Sequence, residues 1–578
     1  LHYKRANSLS MTLEDRINPW LKTPFDEETQ AKVNAMHQYP KELEDAFYKD
    51  LGFGTGGMRG IMGVGTNRIN KYTLGKSTQG LSRYLLKKYP AETIKTVIAF
   101  DSRHHSKQLA KVVADVFTAN SIQCFLFSDL RPTPELSFAV RHLNTHCGIV
   151  ITASHNPPEY NGYKVYGKDG GQLVPPQDSE IIKEIQKTSF KEIFFKGNDS
   201  LLNYIDNEID EAYHKTVLAV AKMHELSKDK FRLVFTPIHG TSITALPQVL
   251  KKAGYQNVYV VSEQEKPNGA FPTVVSPNPE TKEALKMGID LGNKKNADLV
   301  IGTDPDADRF GVVARDLKNE WRFLNGNEVM IILTEYLLSE KAVKGELTPH
   351  HFIASTIVST PVIQKMADHY NIQFKKCLTG FKWIAKLIED FPELTFIGGG
   401  EESYGYLIGD TVRDKDAISA SLLVCEIAVE AKEKNLTLHE LLLESYKKYG
   451  VYRERLISIN KPGKSGKQEI NDLMERYRKS PPANIAGIKV SVLEDYQTSI
   501  LYDLTSKKEH KLLLPKENVL LFKLEDGSQI AFRPSGTEPK IKYYFSVNEN
   551  YSHELSWKEQ EIILEERLDH LVNELSNN

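Results

Sequence analysis

Four short stretches of this chain carry side chains whose types and spacing could do chemistry. The first runs from Gly148 to Lys164, Gly-Ile-Val-Ile-Thr-Ala-Ser-His-Asn-Pro-Pro-Glu-Tyr-Asn-Gly-Tyr-Lys. A β-rich run, Ile149-Val150-Ile151, stops at a polar turn that presents Ser154 beside His155. Asn156-Pro157-Pro158 forbids helix there, because proline lacks an amide proton and biases its predecessor toward extended backbone. The serine is therefore expected on a stiff, exposed loop at the end of a buried strand. Asn161-Gly162 predicts a tight turn that returns Lys164 toward it. A serine displayed near a base is a nucleophile candidate, with Lys164 and His155 as acid/base groups. An ordinary strand-to-loop turn is the alternative.

The second stretch, Asp304-Pro305-Asp306-Ala307-Asp308-Arg309, follows an apolar strand at 297–302. Three carboxylates alternating over five residues can converge on one hard cation, and Mg²⁺ keeps positions open for phosphate oxygens. The glycine and distal glutamate of an EF-hand are missing. The third, Gly398-Gly399-Gly400-Glu401-Glu402-Ser403-Tyr404-Gly405, combines glycines that permit close backbone approach with Glu401 and Ser403, an acceptor and a donor for sugar hydroxyls. Thr379, Gly380 and Lys382, and Lys415 in Arg413-Asp414-Lys415-Asp416, are weaker polar clusters nearby in sequence. The fourth, Arg533-Pro534-Ser535-Gly536-Thr537-Glu538-Pro539-Lys540, offers a guanidinium fork, two hydroxyls and a glycine, with Lys540 and Lys542 close by. That set suits a phosphate dianion.

Two glycine patterns are decoys. Gly52, Gly54 and Gly57 satisfy G-x-G-x-x-G with no strand before them and no helix after, so no dinucleotide site is read there. Gly75-Lys76-Ser77 imitates the end of a P-loop, but Asn70 holds the first glycine position. What the Gly54–Gly60 stretch does supply is Arg59, carried on a flexible loop.

The elements around these stretches read as α/β. Strand Thr96–Phe100, a helix with Leu109, Val112, Val113, Val116 and Phe117 on one face, and strand Gln123–Phe127 form the first unit. Strand Arg232–Phe235, helix Thr244–Lys252 and strand Asn257–Val261 repeat it, as do strand Phe352–Val358 and helix Pro361–Asn371. Three such blocks imply three related α/β domains with largely parallel sheets. The last 120 or so residues differ. Strands Val519–Leu524 and Gln529–Phe532 meet across Asp526-Gly527, a third runs Ile541–Val547, and a charged helix carries Ile562, Ile563, Leu568, Leu571 and Val572. The expected partition is 1–215, 216–325, 326–460 and an α+β domain at 461–578, entered through the polar 461–468 segment.

With 578 residues, 74 basic and 76 acidic side chains, the net charge of −2 gives no electrostatic case for nucleic acid or an anionic membrane. Cys124, Cys147, Cys377 and Cys425 are far apart and fit reduced thiols in a cytoplasmic protein. No apolar run reaches a membrane span or a signal-peptide core, and Met11 reads as a start preceded by an expression remnant.

The motifs Thr-Ala-Ser-His-Asn-Pro, Asp-Pro-Asp-Ala-Asp-Arg, Gly-Glu-Glu-Ser and Arg-Pro-Ser-Gly-Thr-Glu-Pro occur here in one order along nearly the whole chain. In this the sequence resembles the α-D-phosphohexomutase family. The resemblance implies three similar mixed or parallel-sheet α/β domains and a C-terminal α+β domain around a central cleft. It also implies a phosphoserine at Ser154, with one Mg²⁺ held by Ser154, Asp304, Asp306 and Asp308. Arg309, Thr379, Gly380, Lys382, Glu401, Ser403 and Lys415 would bind the sugar substrate. Arg533, Ser535, Gly536, Thr537, Lys540 and Lys542 would bind its phosphate. Arg59 joins Ser154, Lys164 and His155 at the reacting end, where neighbouring cations are expected to lower the Lys164 pKa.

Gly-Glu-Glu-Ser is similar to the glucose-preferring members, so interconversion of glucose 1-phosphate and glucose 6-phosphate with glucose 1,6-bisphosphate as activator is the implied reaction. Phosphopentomutase, glucose 1,6-bisphosphate synthase and phosphomannomutase are the alternatives within the resemblance, and a metal-dependent sugar phosphatase is the alternative outside it. The implied partner is a small phosphosugar, and the implied assembly a monomer or weak homodimer.

Overall fold

Strands buried on both faces alternate with amphipathic helices through most of the chain. The computed structural model describes residues 12–54, 56–221, 227–461, 465–536 and 540–576. It divides into two compact units, one reaching to Gly311 with Thr411–Leu422 added, the other formed by Val312–Asp410 and the chain from Leu423 onward.

In the first unit, strands β1 (Gly57–Ile61), β2 (Lys95–Phe100), β3 (Gln123–Phe127), β4 (Cys147–Ile151), β5 (Tyr160–Tyr166) and β6 (Leu202–Ile205) form one sheet in the order β1-β5-β4-β2-β3-β6. β4, β2, β3 and β6 are mutually parallel, and β1 and β5 are antiparallel edge additions. Helix Ser106–Ala119 buries Leu109, Ala110, Val113, Ala114, Val116 and Phe117, as its 3.6-residue spacing predicts; Val112 is half-buried. A second sheet core aligns β7 (Arg232–Thr236) between β8 (Asn257–Val260) and β9 (Leu299–Thr303), all parallel. The segment before Gly54, which carried no sequence assignment, forms helices Glu27–Met36 and Pro40–Phe47. With Trp20, Phe25 and Tyr72 they make an aromatic cluster on helix Lys71–Lys88.

β10 (Phe310–Arg315) carries the chain into the second unit, where it pairs antiparallel with β11 (Trp321–Leu324). There β12 (His351–Thr356) lies between β13 (Gln373–Cys377) and β14 (Thr395–Glu401) in parallel, with β15 (Gly405–Ile408) antiparallel to β14. The last sheet uses β16 (Val451–Asn460), β17 (Asn484–Ile485), β18 (Ile488–Asp495), β19 (Ile500–Asp503), β20 (Lys508–Lys511), β21 (Leu520–Leu524), β22 (Gln529–Pro534) and β23 (Lys540–Glu549). Its order is β16-β23-β22-β21-β18-β19-β20, with β17 paired to β18. The hairpin across Asp526-Gly527 is present as β21–β22. Helix Trp557–Ser576 closes this sheet, but its buried stripe is Leu564, Leu568, Leu571 and Leu575. Ile562 and Ile563, expected on that stripe, are 48% and 39% exposed, because the periodic leucines take the inward face.

One carboxyl at the start of this last sheet gives a pH prediction. Glu454 on β16 is pushed up to about 7 by burial, with the Glu328 charge adding to it, and its Oε1 has no hydrogen-bond partner. A raised carboxyl contributes stability below its unfolded pKa that is lost as pH rises through the folded one, here between about 4.5 and 7. Glu454→Gln is thus expected to stabilise the protein above pH 7 by up to about 3 kcal/mol and to leave it unchanged at pH 4.5. Thermal melts of both proteins across that range check it; parallel pH profiles would refute it.

Candidate active site

The Ser154 loop is a hairpin between two buried strands. β4 and β5 run antiparallel with Val150 opposite Lys164, so the hairpin register, and no turn at Asn161-Gly162, brings the lysine back. Asn161 and Gly162 lie inside β5, opposite Gly60 and Arg59 of β1. Gly162 is required there, since a Cβ would sit 2.4 Å from the Thr152 carbonyl and 2.8 Å from that of Met58. Arg59 likewise stands on edge strand β1 rather than on a flexible loop, and its exposed guanidinium donates to Asn156 Oδ1 at 2.7 Å.

Ser154 is 2% exposed, not displayed on the surface. Its backbone is left-handed, φ 52°, a conformation that costs a non-glycine residue about 1 kcal/mol or more. The Thr152 hydroxyl accepts from the Ser154 amide at 2.8 Å and helps to hold it. Ser154 Oγ donates to Asp304 Oδ2 at 2.8 Å and lies 3.3 Å from His155 Nδ1. Burial, reinforced by the Arg309 and Arg59 charges, pulls the His155 pKa well below the ordinary imidazole range, so this ring is neutral.

The aspartates of the β9–β10 turn converge. Asp304, Asp306 and Asp308 are all buried and each brings an oxygen within 4.8 Å of the others. Asp304 Oδ1 accepts from the Asp308 and Arg309 amides at 3.1 and 3.0 Å, which folds the turn around it. Asp306 Oδ2 accepts from Thr133 Oγ1 at 2.8 Å and Lys164 Nζ at 2.6 Å; Asp308 Oδ2 accepts from Lys164 at 3.0 Å and pairs with Lys415 at 3.1 Å. Asp306 Oδ1 and Asp308 Oδ1 are buried without a hydrogen-bond donor. Two orphaned carboxylate oxygens in a cluster of three, with burial and two like charges raising the Asp304 pKa far above its usual range, fit a hard divalent cation.

Lys164 departs from expectation. Burial alone would lower its pKa, but the Asp306 and Asp308 carboxylates more than offset that and raise it. Its ammonium pairs with both carboxylates, at 2.6 and 3.0 Å. Burial would raise Asp308 in turn, yet Lys164, Lys415 and Arg309 hold it well below the carboxylate range. Lys415, expected among the sugar contacts, sits against Asp308 and Asp414, and Asp414 accepts from Tyr166 at 2.7 Å and Gln172 at 3.0 Å. Arg309 donates to Glu280 at 2.5 Å.

The remaining candidates belong to the second unit. Glu401 Oε1 accepts the Gly380 amide at 2.7 Å, which ties the Thr379–Lys382 turn to the end of β14. Thr379 Oγ1 is buried with no hydrogen-bond partner, Lys382 opens helix Lys382–Asp390, and Ser403 lies in the β14–β15 turn. Gly398, Gly399 and Gly400 are inside β14 and serve packing rather than ligand approach: a Cβ would meet Tyr406 Oη at 2.7 Å, the Ala354 carbonyl at 2.3 Å and the Gly405 carbonyl at 2.7 Å. Arg533 is opposite Lys542 in the β22–β23 pairing and donates through Nε to Glu517 at 3.1 Å. Ser535 N donates to the Lys540 carbonyl at 2.7 Å, and space around Gly536 is open. Thr537 lies outside the described residues.

Profiles of the phosphoglucomutase/phosphomannomutase α/β/α domains I, II and III match residues 50–192, 211–318 and 325–449. The chain belongs to this family. A phosphoglucomutase of Staphylococcus aureus strain USA300 is 38% identical over 511 residues, 88% of this chain and 91% of that one. A phosphoglucomutase of Staphylococcus epidermidis strain ATCC 35984 is 36% identical over 518 residues, 89% and 93% of the two chains. The fold matches a phosphoglucomutase/phosphomannomutase family protein of Burkholderia thailandensis (TM-score 0.63, 17% identity, 90% and 96% covered). It also matches Paramecium parafusin, a phosphoglucomutase, in its open form (TM-score 0.64, 17% identity, 87% and 91% covered). Around these candidates, sequence reading did not mark Thr133, Arg103, Ser276 or Glu280. Thr133-Pro134 at a helix start was the one visible signal, and Thr133 both donates its amide to the Asp306 carbonyl and its hydroxyl to the Asp306 side chain.

Proposed function

We propose that this chain interconverts glucose 1-phosphate and glucose 6-phosphate through a phosphorylated Ser154 and a glucose 1,6-bisphosphate intermediate. The observation that carries the reading is the buried, left-handed Ser154, whose hydroxyl is bonded at 2.8 Å to one of three converging aspartates. Staphylococcal relatives at 36–38% identity named phosphoglucomutase favour glucose as the sugar.

In the first half-reaction the phosphoryl group leaves Ser154 Oγ and bonds to the free hydroxyl of the sugar phosphate. The P–Oγ bond breaks, a P–O(sugar) bond forms, and the hydroxyl proton ends on Ser154 Oγ. His155, neutral and 3.3 Å from Oγ, is placed to relay that proton. The second half-reaction reverses these steps with the other phosphate of the bisphosphate. Asp304, Asp306 and Asp308, with the serine phosphate, would hold Mg²⁺, which when bound offsets charge on the transferring phosphoryl oxygens. Protonated Lys164 adds fixed positive charge, Lys415 balances Asp308 and Asp414, and Arg59 and Arg309 face the same anionic chemistry. Thr379, Gly380, Lys382, Glu401 and Ser403 are assigned to the sugar hydroxyls. Arg533, Ser535, Gly536, Lys540 and Lys542, together with Thr537, are assigned to the phosphate that is not reacting. We assign these functions to domains at 1–215, 216–325, 326–460 and 461–578, in a cytoplasmic protein whose four cysteines are buried.

A coupled assay across glucose, mannose, ribose and N-acetylglucosamine 1-phosphates tests the proposal. It expects the highest kcat/KM for glucose 1-phosphate and dependence on a bisphosphate activator. A dominant ribose or mannose rate overturns the substrate, and steady phosphate release without activator points to a phosphatase. Arg533→Ala is expected to raise KM by about 10–100-fold, the worth of a charge-assisted contact, while Ser154 still takes up phosphate from glucose 1,6-bisphosphate. Unchanged kinetics would remove Arg533 from the phosphate site.

A further inference from the structure

The Ser154 loop turns four of its backbone carbonyls onto one buried side chain. Arg103, 3% exposed at the end of the turn after β2, donates through Nη2 to the carbonyls of Ser154 and Asn156 at 2.5 Å each. Its Nη1 donates to those of Pro157 and Tyr160 at 2.8 and 3.0 Å. Asp101 holds the arginine from behind, through Oδ1 to the Arg103 amide at 2.9 Å and Oδ2 to Nε at 3.3 Å. The next α/β domain closes over it. Phe271, itself left-handed at φ 45°, lays its ring 5.0 Å from the guanidinium carbon, and Ser276 Oγ donates to the His155 carbonyl at 3.0 Å. Gly269 packs against the Arg103–His104 peptide so closely that a Cβ would lie 2.3 Å from the His104 nitrogen.

We propose that Arg103 is the positioning residue for Ser154, locked in place by the 268–276 loop. The inference rests on the phosphoserine reading given above. A phosphoryl dianion on Oγ would be repelled by carbonyl dipoles aimed at it, and the planar guanidinium fork engages four of them with a cation. The same four bonds over-determine a left-handed serine that would relax on its own. Lysine, a compact charge with no fork, cannot reproduce them.

The test uses the full chain with Mg²⁺ and follows phosphate gain on Ser154 from glucose 1,6-bisphosphate by quenched intact mass, beside steady-state kinetics. Arg103→Lys is expected to slow labelling and kcat together by about 10²-fold, with KM moved by less than about 3-fold, since a misplaced nucleophile loses rate and not binding. Guanidinium ion in the buffer should restore part of the labelling rate to Arg103→Ala and none to the native protein. Gly269→Ala, which keeps every participating side chain but pushes the 268–276 loop off the Arg103–His104 peptide, should show a smaller loss of the same kind and serves if the arginine variants fail to fold. Native labelling rates in Arg103→Lys or in Gly269→Ala overturn the proposal. A native protein that takes up no phosphate from the donor refutes the phosphoserine reading itself, which separates the two failures.

Discussion

Ser154→Ala is expected to lower interconversion by roughly 10⁴-fold or more and to abolish labelling by glucose 1,6-bisphosphate, because no other group replaces a covalent carrier. The variant should stay folded. It loses one hydrogen bond to Asp304, worth about 1 kcal/mol, while alanine pays the same left-handed backbone cost that serine already pays. Ser154→Gly separates the two contributions, since glycine adopts φ 52° freely and relieves the strain while still lacking the hydroxyl. Rate loss in both variants with a higher melting temperature in Ser154→Gly than in Ser154→Ala would assign the conformation to backbone strain and the activity to Oγ. Turnover retained in either variant would sink the phosphoserine mechanism, whatever the stability data say.

The chemistry was legible because its residues are contiguous. Asp304, Asp306 and Asp308 fall within five positions of one turn, and so does the Ser154–His155 pair, so local sequence alone brings each set together. Their positions also follow a rule that periodicity predicted only in outline. In each α/β domain the turn that carries the candidate motif follows the parallel strand that precedes an added strand: β4 leads to Ser154, β9 to Asp304–Asp308, and β14 to Glu402-Ser403-Tyr404. Each turn contains one left-handed non-glycine residue, Ser154, Ala307 or Tyr404. Three copies of one βαβ plan thus carry three different candidate motifs at the equivalent turn, each within its own domain.

What sequence could not supply were contacts between distant segments. Arg103 meets the Ser154 loop from 51 positions away, Thr133 meets Asp306 from 173, and nothing local to either residue marks the pairing. Burial misled for the same reason. The prolines and polar residues around Ser154 suggested exposure, but the Arg103 fork and Asp304 cover the loop from two sides. For Lys164 the sequence suggested neighbouring cations, and what it did not mark are the Asp306 and Asp308 carboxylates that pair with it at 2.6 and 3.0 Å. The glycines of β14 read as ligand-facing, yet what stands where their Cβ atoms would be is the sheet and its flanking side chains.

Asp306→Ala carries the second large expected effect, and charge decides it. The native cluster sets three buried carboxylates against Lys164 and Lys415, and Lys415 is shared with Asp414. Arg309 Nε lies 3.8 Å from Asp308 Oδ1 as well, so what argues for a divalent cation is the convergence of three carboxylates with two donorless oxygens. Removing Asp306 deletes one of those oxygens and frees Thr133 and half of the Lys164 pairing. Activity should fall by about 10³-fold or more, as when a principal electrostatic contributor to transition-state stabilisation is lost. A second readout is independent of turnover. Magnesium should raise the melting temperature of the native protein, by about 2.7 kcal/mol of stabilisation at 100-fold excess over its Kd, and leave Asp306→Ala unchanged. Without added cation the variant should melt no lower than the native protein, since relief of like-charge repulsion offsets the lost hydrogen bonds. Asp306→Asn keeps an acceptor for Thr133 while removing the charge, so it should match the alanine variant in magnesium response. Full activity in chelator would end the Mg²⁺ proposal, and an equal magnesium shift in all three proteins would place the cation elsewhere.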